Sequence, residues 1–287
     1  MIDYEYKKPE SLDEVFALLK NCGSQAKLIA GGTDVLIDIK HRKIEPEVLI
    51  SLRGLNDLQY IRKEDDYHIG AMTTHAMLEH SELVEKELTA LQQGAAQVGC
   101  VQLRNVATIG GNVCNAAPSA DSAAPLLALG ARVVLQGPND RREVEMADFF
   151  TGPSATTKKD DEVLVELIIP GDMEKYGSSY CKHSRRKALN LPIIGVAGAI
   201  KLNSDNTISD VKIGLTVVAP TPIRALPAEE FLVGKAFTDD VLTEAGKRAA
   251  EPDCCMPRDS LRCEGWYREE MVRVLIPRVL KQAAGNL

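Results

Sequence analysis

The sequence predicts an α+β fold built from two parts. The chain has 287 residues, which exceeds an average domain, so two domains or one domain with a large appendage are expected. Short β-type runs occur together with clustered helical segments, a pattern typical of α+β proteins. The polar, glycine-bearing stretch GDMEKYGSS at 171–179 is the best candidate for the boundary between the two parts.

The first part begins with a capped helix. In the stretch SLDEVFALLKNCG, Glu14 follows Ser11 by three residues, which forms a capping box, and Gly23 ends the helix. One face of the helix collects its apolar side chains, Leu12, Val15, Phe16 and Leu19. We therefore expect this helix to pack rather than to take part in chemistry.

The rest of the first part mixes strands with helices. A helical pattern covers about 75–98, and the end of a helix and a further short element are expected between 123 and 150. The β-type runs lie at 48–52, 58–62, 67–72, 132–137 and 162–170. The last run is apolar enough for a buried strand.

The sequence of the second part predicts a small sheet covered by helices. Its strand-like runs are YCKHS, IIGVAGAIKL and TISDVKIGLTVV, and helices follow near 227–250 and 264–283. Pro277 lies inside the last helical pattern and is expected to kink or restart that helix.

Composition excludes several classes of function. The net charge of −7 disfavours nucleic acid as a partner, because such a partner requires a basic face. No apolar run is long enough for a membrane helix, and the N-terminus does not resemble a signal peptide. Seven cysteines, an odd number, then indicate reduced thiols in a cytoplasmic protein. Cys254, Cys255 and Cys263 lack the spacing of a metal site, so no metal is expected.

A first glycine loop lies in the stretch KLIAGGTDVLIDIK at 27–40. Gly31 and Gly32 allow backbone N–H groups to approach a ligand, and Thr33 and Asp34 are suited to cap a short helix at 35–40. Such a turn suits a phosphate, although a tight turn without ligand has the same sequence. The Asp34 carboxylate repels a phosphate unless its oxygen points back at its own helix.

A second glycine loop lies in NVATIGGNVCNAAPSADSAAPLLAL at 105–129. Gly110 and Gly111 repeat the pattern, and polar side chains suited to hydroxyls and phosphate oxygens follow them: Asn112, Asn115, Ser119, Asp121 and Ser122. Two such loops suit a dinucleotide pyrophosphate, with Asp121 suited to a ribose or ribityl hydroxyl. The motifs G-x-G-x-x-G and G-x-x-x-x-G-K-[ST] are absent, which leaves FAD in another architecture.

Five motifs carry a family resemblance over essentially the whole chain: AKLIAGGTDVLI, QLRNVATIGGNVCNAAPSADSAAP, DEVLVELIIP, SRRKALNLPIIGVA and VVAPTPIRA. The sequence resembles the FAD-binding, or medium, subunits of the molybdenum hydroxylases, and is most similar to the FAD subunit of bacterial xanthine dehydrogenases. The resemblance implies a two-lobed FAD-binding domain of the vanillyl-alcohol-oxidase/PCMH type at 1–174, with lobes at about 1–54 and 55–174. It also implies an α+β domain at 175–287 with a three-stranded antiparallel sheet and helices.

The resemblance also implies a set of cofactor contacts. These are Lys27, Leu28, Ile29, Ala30, Gly31, Gly32, Thr33, Asp34, Val35, Thr108, Ile109, Gly110, Gly111, Asn112, Val113, Ser119, Asp121, Leu164 and Lys182. Lys182 matches a lysine close to the flavin and is expected to tune it; the alternative is a solvated lysine on a strand edge.

Three neighbouring features stay open. Arg104 is suited to neutralise a phosphate or to cap a neighbouring segment. No aromatic residue stands at Val98, where some relatives stack one on the flavin. The run from Arg185 to Lys187 suits docking or an NAD phosphate, and equally a solvated basic turn.

The resemblance implies noncovalent FAD in a heteromeric electron-transfer complex. None of His41, His68, His75, His80 and His183 lies in the first glycine loop, where covalent attachment would place a histidine. A large molybdopterin subunit is expected to hydroxylate a purine such as xanthine, and a small subunit with 2Fe-2S clusters to reduce this FAD. NAD+ or another acceptor then takes the electrons.

Other readings of the sequence remain. The chain has the features of a flavin subunit of a nicotinate, aldehyde or carbon monoxide dehydrogenase as well. A self-sufficient flavoprotein oxidase and an assembly subunit that has lost its flavin are the two readings outside that group. The intact glycine loops disfavour the second of these.

Overall fold

The first lobe contains a three-stranded parallel sheet. The computed structural model describes residues 3–287 of the chain. The first elements are β1 (Glu5–Lys7), α1 (Leu12–Cys22), β2 (Ala26–Ile29), α2 (Val35–Lys40) and β3 (Val48–Ser51). The strands pair in the order β1, β3, β2, all parallel. The predicted short helix at 35–40 is therefore confirmed, and it connects two strands of one sheet.

Helix α1 forms as its capping box predicts. Ser11 Oγ accepts a hydrogen bond from the Glu14 N–H at 3.2 Å, and Gly23 ends the helix with a φ of 54°. The Glu14 carboxylate accepts from the Glu10 N–H at 2.9 Å, one residue before the expected position. The buried face of α1 packs with β3 and with side chains of the second lobe such as Val165. The two lobes thus share apolar contacts.

The second lobe is built on a five-stranded antiparallel sheet. Its strands are β4 (Ile61–Lys63), β5 (Tyr67–Gly70), β6 (Arg132–Gln136), β7 (Arg141–Glu145) and, after the small hairpin of β8 (Phe150–Gly152) and β9 (Ala155–Thr156), β10 (Val163–Ile169). The sheet order is β4, β5, β10, β6, β7. Strand β10 is central and buried along its whole length, as the sequence predicted.

Six helices and one short turn of helix surround this sheet. They are α3 (His75–Glu79), α4 (Glu82–Glu87), α5 (Thr89–Ala96), α6 (Val101–Arg104), α7 (Ile109–Asn115), α8 (Ala123–Ala128) and the four-residue α9 (Met146–Phe149). The helical structure expected at about 75–98 is confirmed, but it is divided into three helices, because Thr74 and Ser81 each cap a separate helix and Leu88 leaves the helical conformation. The strand expected at 58–62 begins only at Ile61, after a 3₁₀ turn.

The C-terminal part contains the expected antiparallel sheet and helices. Its elements are β11 (Gly177–His183), β12 (Ile194–Leu202), β13 (Ile208–Thr216), β14 (Ile223–Arg224), α10 (Leu226–Leu232), α11 (Asp239–Ala249) and α12 (Gly265–Ala284). The three expected strands pair consecutively, and the two-residue β14 adds a fourth at the edge. The expected helix near 227–250 is two helices, with Gly234 at a φ of 77° between them.

Helix α12 runs continuously through Pro277, so the expected restart is wrong. Proline lacks the N–H that would bond the carbonyl four residues earlier, which here belongs to Arg273. Helix α11 approaches that carbonyl at Gly246, where an added Cβ would lie 2.6 Å from the Arg273 oxygen. The glycine therefore lets one helix pack closely over the interrupted bond of the other.

The C-terminal sheet is buried on both faces. On β12, Ala197 and Ala199 face a cluster that contains Leu126 of α8, whereas Ile194, Val196 and other alternate residues face α10 to α12. Gly214 of β13 allows α8 to approach, because an added Cβ would lie 2.9 Å from the Ala124 carbonyl carbon. The second lobe and the C-terminal part therefore pack together directly.

Three properties of the described residues limit the class of protein. Within residues 3–287, no helix has both the length and the hydrophobicity to cross a bilayer. All seven cysteines are free thiols, and burial raises the pKa of Cys254 to about 11. In the same part of the chain, no group of three or more metal-ligating side chains comes together.

Candidate functional site

The two glycine loops lie directly against each other. A Cβ added to Gly31 would overlap the Val106 carbonyl and lie 2.8 Å from its carbon. A Cβ added to Gly111 would lie 3.9 Å from the Ala30 Cβ. Only a glycine fits at position 31, so the first loop has the close backbone approach that its sequence suggests. The two segments proposed to hold one pyrophosphate thus converge in space.

The first loop offers backbone donors that the protein leaves unused. The N–H groups of Gly32, Thr33 and Asp34 donate to no acceptor among residues 3–287. Gly32 has a φ of 78°, which turns the chain sharply before α2. Adjacent free N–H groups form an anion-binding concavity. This loop therefore retains the phosphate-binding capacity expected of it.

Asp34 does not cap α2, and the expectation that it would is wrong. Asp34 occupies the N-cap position but its side chain accepts no hydrogen bond from the helix. Its φ of −103° and ψ of −51° are helical rather than extended, which turns the carboxylate away from the amides of the first turn. Desolvation and the nearby Asp38 raise the pKa of the Asp34 carboxyl.

The second loop uses its N–H groups inside the protein. Thr108 caps α7 by accepting from the Gly111 N–H at 3.2 Å, and the N–H of Gly110 donates to Ala71 O at 3.0 Å. The Ile109 N–H donates to Thr73 O at 2.9 Å. The expectation of free donors in this loop is therefore wrong. Its glycines serve close packing, since a Cβ on Gly110 would lie 2.7 Å from that of Ala71.

Polar side chains of the second loop remain available. Ser122 Oγ donates to Asn112 Oδ1 at 2.6 Å, which leaves the Asn112 amide donors without an acceptor in the described part of the chain. Ser119 is half-buried and makes no side-chain hydrogen bond within residues 3–287. Ile109 and Val113, by contrast, are buried in the core. Any contact of these two residues with a cofactor is limited to their backbone.

A basic cavity of about 450 Å³ lies beside β11, lined by Gln97 and residues 182–190. Arg185 donates to the carbonyl of Leu261, and Arg186 donates to Leu189 O at 2.6 Å. Asn190 Nδ2 is buried at this cavity without a hydrogen-bond partner among the residues described. An unpaired buried donor is costly unless a ligand satisfies it.

Lys182 and Asp121 form a buried ion pair at the wall of the basic cavity. Lys182 Nζ lies 2.7 Å from Asp121 Oδ2, and both side chains are only 7% exposed. Lys182 also donates to Gln97 O at 3.0 Å, and Tyr180 Oη donates to Asp121 Oδ1 at 2.9 Å. The alternative of a solvated edge lysine is therefore wrong. Burial raises the pKa of Asp121, which Lys182 and Tyr180 partly offset.

The remaining expected contacts are spread along the first loop and the central strand. On β2, Lys27 is exposed, Leu28 packs with the α1 cluster, and Ile29 faces the opposite side of the sheet. Val35 packs with Ile29, and Leu164 is 4% exposed beside the irregularity of β10. Leu164 belongs to the same buried cluster as Ile109 and Val113 of α7, and α7 contacts β10, so the central strand lies behind the second loop.

The Arg104 side chain is bonded to protein groups. The Arg104 guanidinium donates to Glu79 Oε2 at 2.7 Å and to Val98 O at 3.2 Å. Arg104 therefore ties α6 to α3, as the structural alternative proposed. Sequence reasoning missed Tyr180, although Tyr180 and Lys182 are two residues apart on one strand and so share a face.

These features together fit a flavin dinucleotide. The free N–H groups of 32–34 suit phosphate oxygens, and the Asn112 amide and Ser119 hydroxyl add neutral donors in the second loop. The basic cavity offers an unpaired donor at Asn190 and a buried cation at Lys182, both suited to the polar edge of a heterocycle.

Comparisons with known proteins agree with this chemistry. The family described as FAD binding domain in molybdopterin dehydrogenase matches residues 2–172, and the CO dehydrogenase flavoprotein C-terminal domain matches 179–283. The carbon monoxide dehydrogenase medium chain of Hydrogenophaga pseudoflava is 37% identical, over 98% of this chain and 96% of that one. The putative xanthine dehydrogenase FAD-binding subunit XdhB of Escherichia coli K12 is 33% identical, over 99% and 97%.

A solved structure shows the same architecture. The carbon monoxide dehydrogenase from Hydrogenophaga pseudoflava that lacks the Mo-pyranopterin moiety has a chain that superposes with a TM-score of 0.94 at 36% identity. The match covers 99% of this chain and 98% of that one.

Proposed function

Because the chain belongs to the family of FAD-binding subunits of the molybdenum hydroxylases, we propose that it relays electrons through noncovalent FAD in a heteromeric complex. The packing of Gly31 against Val106 carries this proposal, since it brings both glycine loops to one place. The chain is thus the flavin subunit of an oxidoreductase.

The pyrophosphate binds at the first glycine loop. The free N–H groups of Gly32, Thr33 and Asp34 donate to its oxygens. The other expected cofactor contacts of the two loops, at 27–35 and 108–113, lie along the dinucleotide. Asn112 and Ser119 donate from the second loop. Because the N–H groups at 109–111 are already bonded, this loop contributes side chains and shape rather than backbone donors.

The flavin ring binds at the basic cavity. When bound, FAD supplies the redox chemistry. Lys182 supplies positive charge at the cavity wall, where it stabilises negative charge that develops on the reduced ring. The Asn190 amide gains a partner for its buried donor. The backbone of Leu164, on the central strand, is a further cofactor contact that we propose on the family resemblance.

The flavin is held without a covalent bond. The first glycine loop contains no histidine, and the nearest one in sequence, His41, follows the end of α2. His183 lines the basic cavity, but its Nε2 lies 3.0 Å from Tyr267 Oη, with which it shares a hydrogen bond. Acid precipitation of the holoprotein should therefore release all of the yellow colour into the supernatant.

The electrons come from partner subunits. A small subunit with 2Fe-2S clusters delivers them, after a large molybdopterin subunit has hydroxylated the substrate, and NAD+ or another acceptor removes them. The cationic run at 185–187 favours an acceptor that carries phosphate groups.

The two candidate substrates of the complex are a purine such as xanthine, which the sequence motifs favour, and carbon monoxide. Carbon monoxide has equal standing, because identity to the carbon monoxide dehydrogenase chain is 37% and identity to the xanthine dehydrogenase subunit is 33%. Purification of the tagged chain with its native partners, followed by assays with xanthine and with carbon monoxide, distinguishes the two.

The isolated chain tests the flavin assignment. Reconstituted with FAD, it should turn yellow and reduce an artificial dye with NADH, while it should oxidise none of the candidate substrates. A colourless chain at saturating FAD contradicts the flavin role and favours an assembly subunit. Substrate oxidation by the isolated chain would instead favour a self-sufficient oxidase. Flavin binding without NADH oxidation removes NAD+ as the acceptor.

A further inference from the structure

We infer that Asp121 and Tyr180 are positioning residues that act on the flavin through Lys182. This inference rests on the proposed function, because it concerns the bound flavin. It assigns Asp121 a role other than the sugar contact suggested by its residue type. It also gives a function to Tyr180, a residue that belongs to neither glycine loop.

The geometry fixes the Lys182 ammonium at one point of the cavity wall. Two of its three N–H donors are bonded, one to Asp121 Oδ2 at 2.7 Å and one to Gln97 O at 3.0 Å. A lysine side chain ordinarily samples many rotamers, and these two bonds restrict it to one. One donor remains without an acceptor among residues 3–287, at a side chain that lines the basic cavity.

Asp121 is held in turn by the C-terminal part. Tyr180 Oη donates to Asp121 Oδ1 at 2.9 Å, and both side chains are buried. Gly195 of β12 makes room for the phenol, since an added Cβ would lie 2.8 Å from Tyr180 Oη. The chain of contacts therefore runs from Tyr180 through Asp121 to Lys182, and both oxygens of the carboxylate serve protein partners.

The pair sets the charge that a neighbouring ring experiences. With Asp121 ionised, the pair is neutral overall, and its positive end lies at the cavity. Burial raises the pKa of both the Asp121 carboxyl and the Tyr180 phenol, so removal of the lysine favours a neutral, protonated aspartic acid. Removal of the aspartate instead leaves an ammonium without its counter-ion. The two changes must act on the flavin in opposite directions.

The test uses the full chain reconstituted with FAD. The readouts are the midpoint potential of the flavin, from dye equilibration, and the dissociation constant for sulfite, which adds to the ring and leaves negative charge on it. Lys182→Met should lower the potential and weaken sulfite binding about tenfold, whereas Asp121→Asn should raise the potential and strengthen it about tenfold. The double variant should match Lys182→Met alone, because Asp121 acts only through the lysine.

Two further variants keep the inference testable. If Asp121→Asn does not fold, Tyr180→Phe removes only the hydroxyl, and any shift it causes should disappear in the Lys182→Met background. Glu229→Gln is the control, since it removes the charge of another buried carboxylate, which pairs with the partly exposed Arg224 and does not line the cavity. It should leave the potential and the sulfite constant unchanged.

The outcomes separate this inference from the proposed function. Flavin binding with equal potentials in wild type and both single variants overturns the inference alone. So does an Asp121→Asn shift that persists without the lysine, because the carboxylate would then act on the flavin directly. Failure of the wild type to bind FAD overturns the proposed function instead.

Discussion

A Cβ atom on Gly31 would overlap the Val106 carbonyl, whose carbon lies 2.8 Å away. The contact joins the first glycine loop of the parallel sheet to the segment before the second. Gly31→Ala should therefore force the loops apart and reduce FAD affinity at least about tenfold, because a clash with backbone has no side chain that can move aside.

The matched control for that substitution is Gly152→Ala. There the added Cβ would meet only the Ala155 Cβ, at 3.7 Å, which is an ordinary contact. Fluorescence titration of the apoprotein with FAD measures both variants. Equal affinities for the two would show that the loop contact does not support the cofactor site.

Asp34 should weaken FAD binding in a pH-dependent way. Its carboxylate stands at the free N–H groups proposed for the phosphates, and no helix amide neutralises it. Asp34→Asn should therefore bind FAD about threefold more tightly at pH 7. The pKa of Asp34 is raised, so wild-type affinity should approach that of the variant as the pH falls and the carboxyl protonates.

Asp38→Asn is the control for this charge effect. Asp38 is already paired with Lys43 at 2.9 Å and lies one helical turn away. Its replacement should change FAD affinity less than Asp34→Asn does. Isothermal titration at pH 7, 5 and 4 checks both; an affinity ratio that is the same at pH 4 as at pH 7 would contradict the role given to Asp34.

His75 should make the protein less stable in mild acid. Its ring is fully buried, and neither nitrogen has a hydrogen-bond partner among residues 3–287. Burial, with Arg104 nearby, lowers its pKa from 6.5 to about 4. The unfolded chain therefore binds the proton more readily, and stability is lost as the pH falls below 6.5, by up to about 3 kcal/mol at pH 4.

The measurement is urea unfolding of His75→Phe and of wild type between pH 7 and pH 4. The variant should not lose the unfolding free energy that protonation of His75 removes from wild type. The difference in unfolding free energy between the two proteins should therefore grow as the pH falls. His80→Gln is the control, because the His80 side chain is 76% exposed. Parallel curves for wild type and His75→Phe would contradict the assignment.

Gly246 should be required for the packing of α11 on α12. An alanine there would place its Cβ 2.6 Å from the Arg273 oxygen, at the carbonyl that Pro277 leaves without its helical donor. Gly246→Ala should therefore cost about 1–3 kcal/mol of unfolding free energy. Gly285→Ala, whose Cβ would lie 3.4 Å from its nearest neighbour, serves as the control in thermal unfolding.

Local sequence patterns predicted the local structures well. The cap of α1 at Ser11, the short helix after Gly32 and the buried strand at 162–170 each depend on residues close in sequence. The division of 75–98 into three helices was missed. The helical spacing of apolar residues continues across the stretch, and it obscured the N-caps at Thr74 and Ser81. The predicted boundary between the FAD-binding domain and the C-terminal domain, at residues 174 and 175, stays a prediction.

The site depended on contacts between distant residues. The N–H groups of the second loop looked free in sequence, but carbonyls of Ala71 and Thr73 accept from them. Lys182 and Asp121 are 61 positions apart, and no local pattern relates them. The cap expected at Asp34 failed for a different reason, since residue type does not determine the backbone angles that aim a carboxylate.

Apart from Gln97, the lining of the basic cavity is supplied by the end of β11 and the segment that follows it, residues 182–190. During synthesis, the ribosome therefore completes both glycine loops well before it extrudes Lys182. Over that interval the nascent polypeptide lacks one side of the compartment. Capture of the coenzyme at this cavity must then wait until about two-thirds of the message has been translated.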